Sequence, residues 1–520
     1  MNDTFYFFSW QDINFLKSEL LLVVAWLLAF CGLLLPKKIT SFFVPFVCVF
    51  ALLANLSLLF FSLYSDIKLD KTLFFWNDLF YQNRFTHYLK LLISVSALFS
   101  IWIQYSYQSK NQKTVSEWFV ILLGGVLSAQ FLLISANLFG IYVSLEMLSI
   151  CGYLLVAFYD KQIIETINKK TTTNKTNKKG KLIASTFNYL VFGAVSSACL
   201  LYGFSWWYGA NGSGSFSIPI IFDSISALSE SNQTTFLIGF LLIGIGFLFK
   251  LAAVPLHFWI SEVYKNASSG TVFFLATIPK IAVTGILFFI LEYSIHIPSN
   301  LQEIIFSSLS ILGVLSAIFG GFLAIQQDNF KRLFAYSGVS QMGFLILLFV
   351  YNFQNSVVAI NGILIFWIFY ILSNAIIWKF CAELESINNN YFSNELSIKN
   401  LRNLPFIPKI ILSIASLSLA GLPPLGGFLV KMIVLFVAFQ NYQNQNLIHS
   451  ENSIYLFSLI GIGVATLIGF FYYLKIPYLL FVKSLVETSA NYKISNSTLF
   501  YSILLIVINV VLAIYAIRFL

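Results

Sequence analysis

Apolar runs of about 20 residues follow one another along nearly the whole 520-residue chain, separated by short polar breaks. A run of that length crosses the ~30 Å hydrocarbon core of a bilayer as one helix. The helix satisfies its own backbone N–H and C=O groups where no water is available to do so. Hydropathy places about fourteen such spans, at roughly 19–36, 40–64, 86–107, 116–135, 137–159, 183–208, 235–259, 270–292, 302–325, 330–350, 356–380, 406–441, 454–474 and 498–519. The expected fold class is an all-α, polytopic membrane protein. Composition agrees, with 58% hydrophobic and 10% charged residues and a mean hydropathy of +0.84.

An even number of spans puts both termini on one side, and the basic residues say which. Loops on one face collect 21 Lys and Arg, seven of them in the tract 161–181, against six on the other face. The positive-inside rule makes the richer face cytoplasmic, or matrix in a mitochondrion, with both termini outside. The tract 161–181 (KQIIETINKKTTTNKTNKKGK) reads as a flexible polar loop, either a solvated insertion or a contact for anionic lipid or a partner. The stretch 383–404 is a second long inner loop with the makings of an amphipathic helix. Residues 1–19 hold one lysine, three acids and no arginine, unlike a transit peptide or a signal n-region, so the first span is expected to stay in the mature protein. Only four basic residues are arginine, beside 56 phenylalanines, a bias that suggests an A/T-rich genome such as an organelle's or an endosymbiont's.

Several function classes find no support. The five cysteines are scattered without a C-x-x-C, so no disulfide framework, zinc site or iron–sulfur motif is indicated. There is no glycine-rich dinucleotide fingerprint and no P-loop. The chain is expected to hold no cofactor and no metal and to bind no nucleic acid.

Charges inside the spans carry the functional signal. Lys250, Lys280 and Lys431 each lie well inside an apolar run, and so does Glu146 in GIYVSLEMLSICGYLLVAF. Ionisable groups at that depth are costly and are candidates for ion or proton pathways. Pro255 follows Lys250, and Pro423-Pro424 precede Lys431; a proline withholds an N–H and frees a carbonyl one turn back, so spans seven and twelve are expected to be discontinuous. Broken helices beside buried charge are how transporters build midplane ion sites. Burial disfavours a charged lysine while an acidic neighbour favours it, so a lysine that gains or loses that neighbour can take up or release a proton. Arginine cannot, because it stays charged. A snorkelling side chain or a static ion pair is the bland alternative for any one such lysine. His257, just after Pro255, is a candidate relay or a structural hydrogen-bonder. Glu262, Glu292, Asp328, Lys331 and Arg332 sit at span ends, where solvated charge is the simpler reading. Gln130, Asn188, Asn361 and Asn374 could order water or bond neighbouring helices.

The pentapeptide GVLSA occurs at 125–129 and again at 313–317, each near the start of a block of about five spans that later contains a proline-broken span. An odd number of spans separates the blocks, so the two copies would be inverted in the membrane. This divides the chain into a three-helix segment (1–115), a first antiporter-like repeat (116–292), a second inverted repeat (302–474) and a C-terminal helix (475–520). No acid lies near Ser337 in the second block to match Glu146 in the first. Lys431 is therefore expected to lack a carboxylate partner there and to be held by backbone and water.

Four runs carry a resemblance: SLEMLSICGYLLVAF, FKLAAVPLHFWISEVYKNASSGTVFFLATIPKIA, DNFKRLFAYSGVSQMGF and LSLAGLPPLGGFLVKM. They resemble, in order, the motifs of the chain 2 family of NADH:ubiquinone oxidoreductase, the antiporter-like membrane subunits of respiratory complex I. The H-x-W-x-x-x-V-Y and P-K-I-A elements set that family apart from chains 4 and 5 and from cation/proton antiporter subunits, which share the broken helices. The resemblance covers essentially the whole chain. It implies a proton-translocating subunit, driven by quinone chemistry in other subunits and flanked by other complex I membrane subunits and lipids; the expected membrane is the mitochondrial inner membrane, with a bacterial plasma membrane as the alternative. It implies that Glu146 and Lys250 form a coupling pair, Lys280 a central relay and Lys431 a distal proton-loading site, with His257 matching a family histidine. One departure stands out: the family's tenth-helix histidine is Gln341 here, and glutamine cannot titrate. A subunit of a Na⁺/H⁺ antiporter and a structural spacer with static ion pairs are the alternatives.

Overall fold

The computed structural model describes residues 10–65, 72–108, 116–168, 176–212, 214–225, 230–294, 297–351, 356–387, 401, 404–444, 452–482 and 494–517. It is a helical bundle whose elements are α1 (Trp10–Phe15), α2 (Lys17–Gly32), α3 (Lys37–Ser65), a hairpin of β1 (Leu73–Phe75) and β2 (Phe80–Gln82), α4 (Arg84–Gln108), α5 (Ser116–Ile134), α6 (Leu138–Asn168), α7 (Thr176–Ala210), α8 (Ile218–Ile225), α9 (Glu230–Leu251), α10 (Phe258–Asn266), α11 (Ser269–Tyr293), α12 (Ser299–Ile325), α13 (Phe330–Tyr351), α14 (Ser356–Ile387), α15 (Phe406–Ala420), α16 (Gly426–Asn444), α17 (Asn452–Phe481) and α18 (Asn496–Ile517). Among the described residues twelve helices are long and apolar enough to cross a membrane, and α15 and α16 are shorter apolar helices in series. With α2 these account for the fourteen expected spans, in the expected places.

Burial sorts the helices by position. α11 and α13 are enclosed by protein, with 89% and 94% of their apolar windows buried, whereas α3 and α18 are mostly open on the outside. The two most enclosed long helices thus carry Lys280 and the Gln341 motif. Large apolar side chains such as Phe42, Phe46 and Phe50 face outward from α3, as a lipid-facing surface requires.

Both proline-marked spans are discontinuous. α9 stops at Leu251, Ala252 takes a left-handed φ of 57°, and the chain resumes as α10 at Phe258. The break between the seventh and eighth spans is thus largely helix, and it is amphipathic: Trp259, Ile260, Val263 and Tyr264 are buried. α15 ends in Gly421 at φ 84°, which returns two backbone N–H bonds to Leu417 and Ser418. A Cβ at Gly421 would lie 2.8 Å from the Lys431 side chain, so only glycine suits both the conformation and the contact.

Other sequence expectations are corrected. α6 continues to Asn168 and α7 begins at Thr176, so helix occupies much of the 161–181 tract expected to be a loop. Residues 169–175 of that tract, and most of 388–403 in the second inner stretch, lie outside the described residues. The hairpin pairs Leu73 with Gln82 and Phe75 with Phe80. Neither it nor α8 was anticipated.

Candidate functional site

Each buried lysine is placed by a helix end or a helix defect. Lys250 lies in the last turn of α9, where unpaired carbonyls favour a cation. Its ammonium donates to Ser149 Oγ at 2.5 Å and approaches Tyr153 Oη at 3.5 Å, both on α6. It also sits over the Tyr153 and Phe249 rings, 5.6 and 5.5 Å from their centroids. Glu146, Ser149 and Tyr153 fall at i, i+3 and i+7 and so share a face of α6. Glu146 is near enough for its charge to act on Lys250. It forms no ion pair with it, however, and its Oε1 is buried without a hydrogen bond. The expected coupling pair is therefore adjacent but open, with Ser149 holding the ammonium.

Lys280 is fully buried on α11, the residue after Pro279. Among the described residues no group bonds its ammonium. It points toward α13: a Cβ added at Gly338 would lie 3.9 Å from Lys280 Nζ and 3.4 Å from Tyr370 Oη. Tyr370, on α14, lines a small cavity with Gln341, Ser373 and Ser418, bounded by Leu419 and Gly427 of the second broken helix. Gln341 Nε2 donates to Leu419 O at 3.1 Å and to Tyr473 Oη at 3.3 Å.

At the far side Lys431 Nζ donates to the carbonyl of Ala420, the last residue of α15. Phe344 and Phe470 flank it, with ring centroids 5.4 and 5.5 Å away. No carboxylate pairs with it among the described residues, as the lack of an acid near Ser337 led one to expect. Lys250 and Lys431 thus both lie by the end of a half-helix, but Lys431 rests on its carbonyl while Lys250 is held by hydroxyls of α6. Between the surroundings of Lys280 and those of Lys431 lie Tyr370, the small cavity, Gln341, Tyr473 and the carbonyl end of α15.

Other candidates sort plainly. His257 caps the start of α10 in the first break, its ring stacked on Phe258 at 4.9 Å and 6.3 Å from Tyr336. It bonds none of the three lysines. Asn188 and Asn361 are exposed on outer helix faces. Asn374 donates to Tyr370 O at 2.9 Å and accepts from Trp378. Arg332 pairs with Glu262 at an exposed helix end. Among the described residues no three His, Cys, Asp or Glu side chains cluster as a metal site would need.

Sequence reasoning missed three buried lysines by assigning them to loops. Lys90 on α4 is fully enclosed and paired with Glu19 of α2 at 2.6 Å. Beside it Ser94 bonds Asn55, and Gln130 bonds both. Lys331 and Lys379 are 3% exposed, Lys331 paired with Glu385 and Lys379 donating to Trp102 O at 2.8 Å. The available signal was weak: each lysine lies near a span end, and its partner is on a distant segment.

A helical membrane bundle with two broken helices and three lysines along its interior belongs to the class of antiporter-like ion translocators. Comparison with known proteins gives the family. The model of the NADH:quinone oxidoreductase/Mrp antiporter transmembrane family matches residues 135–456, and the chain belongs to that family. It is 30% identical to NAD(P)H-quinone oxidoreductase subunit 2, chloroplastic, of Mesostigma viride, over 77% of this chain and 72% of the relative. It is 28% identical to NADH-quinone oxidoreductase subunit N of Pelagibacter ubique, over 95% of this chain and 96% of the relative. A chain of respiratory complex I from Thermus thermophilus superposes with a TM-score of 0.71, covering 95% of this chain and 96% of that one at 20% identity, a likeness of fold.

Proposed function

We propose that the chain is the proton-translocating, antiporter-like membrane subunit of an NADH:quinone oxidoreductase of the complex I type. In this reading Lys280 is the central relay. Glu146 and Lys250 form the input, switching between the open arrangement held by Ser149 and a closed ion pair. Lys431 is the distal loading site, reached through Tyr370, Gln341 and Tyr473. Gln341, unable to titrate, passes hydrogen bonds rather than storing a proton. His257 is a candidate relay within the first break. The observation that carries the reading is the Lys280 ammonium, fully enclosed, without a bonded group among the described residues, and beside Gly338 near the Tyr370 hydroxyl, whose residue lines the small cavity. Such a charge is poised to give up its proton when a neighbouring charge moves.

The two blocks, 116–292 and 302–474, act as inverted repeats, each contributing one broken helix. GVLSA falls on α5 and on α12, the first helix of each block, which supports that division. The partners are other membrane subunits of the complex and lipid. The membrane is the mitochondrial inner membrane, with a bacterial plasma membrane as the alternative; the arginine-poor, phenylalanine-rich composition supports an organelle genome. Relatives named as quinone oxidoreductase subunits favour this reading over a Na⁺/H⁺ antiporter.

Replacing Lys280 with Ala in the assembled enzyme tests it. Proton pumping should be lost and quinone reduction strongly depressed, while NADH oxidation by an artificial acceptor persists. Pumping by the unaltered enzyme should not require sodium. Unimpaired pumping in the variant, or an absolute sodium requirement, would count against the proposal.

A further inference from the structure

The turn between the first broken helix and the relay helix is gripped from the second half of the molecule. Residues 267–269 form it: Ala267 ends α10, Ser268 caps α11, and Ser269 begins α11. Lys331, at the start of α13, donates to Ala267 O at 2.7 Å and pairs with Glu385 of α14. Glu385 Oε2 in turn accepts from Ser269 Oγ at 2.8 Å. One buried ion pair therefore holds both sides of a three-residue turn, its two side chains only 4% and 9% exposed. Ser268 is tied on the opposite side to Gln104 Oε1 at 3.1 Å.

A sealed ion pair is a poor choice for stability alone. Desolvation offsets most of its attraction, and a well-packed apolar pair does as well or better. What an ion pair with two further directed hydrogen bonds supplies is geometry. The geometry at stake is the placement of α11. Lys280 lies about 16 Å down that helix from Ser269, and among the described residues no group bonds its ammonium. Where α11 sits therefore decides where the ammonium sits. The same turn fixes α10, the continuation of the helix that ends beside Lys250.

We infer that Lys331, Glu385 and Ser269 are positioning residues that set Lys280 relative to Lys250 for proton transfer, by locking the α10–α11 turn to α13 and α14. The inference rests on the proton-relay reading above. Proton transfer is sensitive to small misplacements, so loosening the grip should make the transfer limit turnover.

Two variants of the assembled enzyme test this: Ser269→Ala, which spares the ion pair, and the neutral double variant Lys331→Met/Glu385→Gln, which leaves no unpaired buried charge. Quinone-reductase turnover per assembled complex should fall roughly threefold to tenfold in both. The rate ratio between H₂O and D₂O should rise above the unaltered enzyme's, because a proton step now limits the rate. A structural role alone would lower the amount of assembled enzyme and leave that ratio unchanged. Unaltered turnover in Ser269→Ala, or slower turnover with an unaltered isotope ratio, would overturn the inference. If the double variant fails to assemble, Ser269→Ala decides alone. Should Lys280→Arg pump normally, the relay reading itself fails; should Lys280→Arg fail while Ser269→Ala behaves as wild type, only the grip is wrong.

Discussion

At the residue scale the molecule uses buried lysine in two ways, and their surroundings tell them apart. Among the described residues Lys250, Lys280 and Lys431 have no carboxylate bonded to them, and they lie beside helix ends, a proline or a polar cavity. Lys90 is locked to Glu19 with both side chains fully enclosed. The first arrangement leaves the charge free to change; the second fixes it. The fixed pair makes a prediction. Lys90→Met strands the Glu19 carboxylate and should cost about 3–5 kcal/mol, while adding Glu19→Gln should recover most of that loss. Heat resistance of the assembled complex in mild detergent would check both, and equal damage by the single and double variants would contradict it. Lys250, Lys280 and Lys431 were legible in the sequence because a charge inside an apolar run has no ordinary explanation. Lys90 and Glu19 were not legible, because each alone looks like a solvated span end and only the tertiary fold joins α2 to α4.

At the element scale each of the two broken helices leaves a carbonyl end near a buried lysine, and in the second Ala420 O accepts from Lys431 directly. Proline marked both breaks in the sequence. The helical character of α10 was hidden because Ser261, Glu262, Lys265 and Asn266 make it look like a connector, although its buried face is apolar. The hairpin at 73–82 escaped because strands of three residues carry too little pattern to read. Gly421 shows how closely a break is fitted to its lysine. Gly421→Ala forces an alanine into a left-handed conformation at a cost of about 1–2 kcal/mol. It also drives a methyl group against the Lys431 side chain. The expected outcome is an assembled enzyme with impaired pumping, measured as acidification per quinone reduced. Normal pumping would mean that the end of α15 does not hold Lys431 in place.

At the scale of the whole molecule the fold is an enclosed polar axis inside a lipid-facing sleeve, with α11 and α13 at its centre. Span count and order were legible from hydropathy because in a bilayer length and apolarity leave few alternatives. Which helices would be central was not legible, since outer and inner helices are equally apolar and differ only in what they touch. The excess of basic loop residues on one face predicts that both termini and the 68–84 loop face outside, with the 161–181 tract inside. A cysteine introduced in that tract should resist a membrane-impermeant reagent in sealed right-side-out vesicles, and labelling of intact vesicles would reverse the orientation. The central claim is that Lys280 gives up and regains a proton during turnover, and Lys280→Arg tests it most directly. Arginine keeps the charge but will not release the proton. Proton pumping by the assembled Lys280→Arg enzyme, measured in sealed vesicles during NADH oxidation by quinone, should be abolished. Pumping at the wild-type rate would show Lys280 to be a fixed charge and contradict the account.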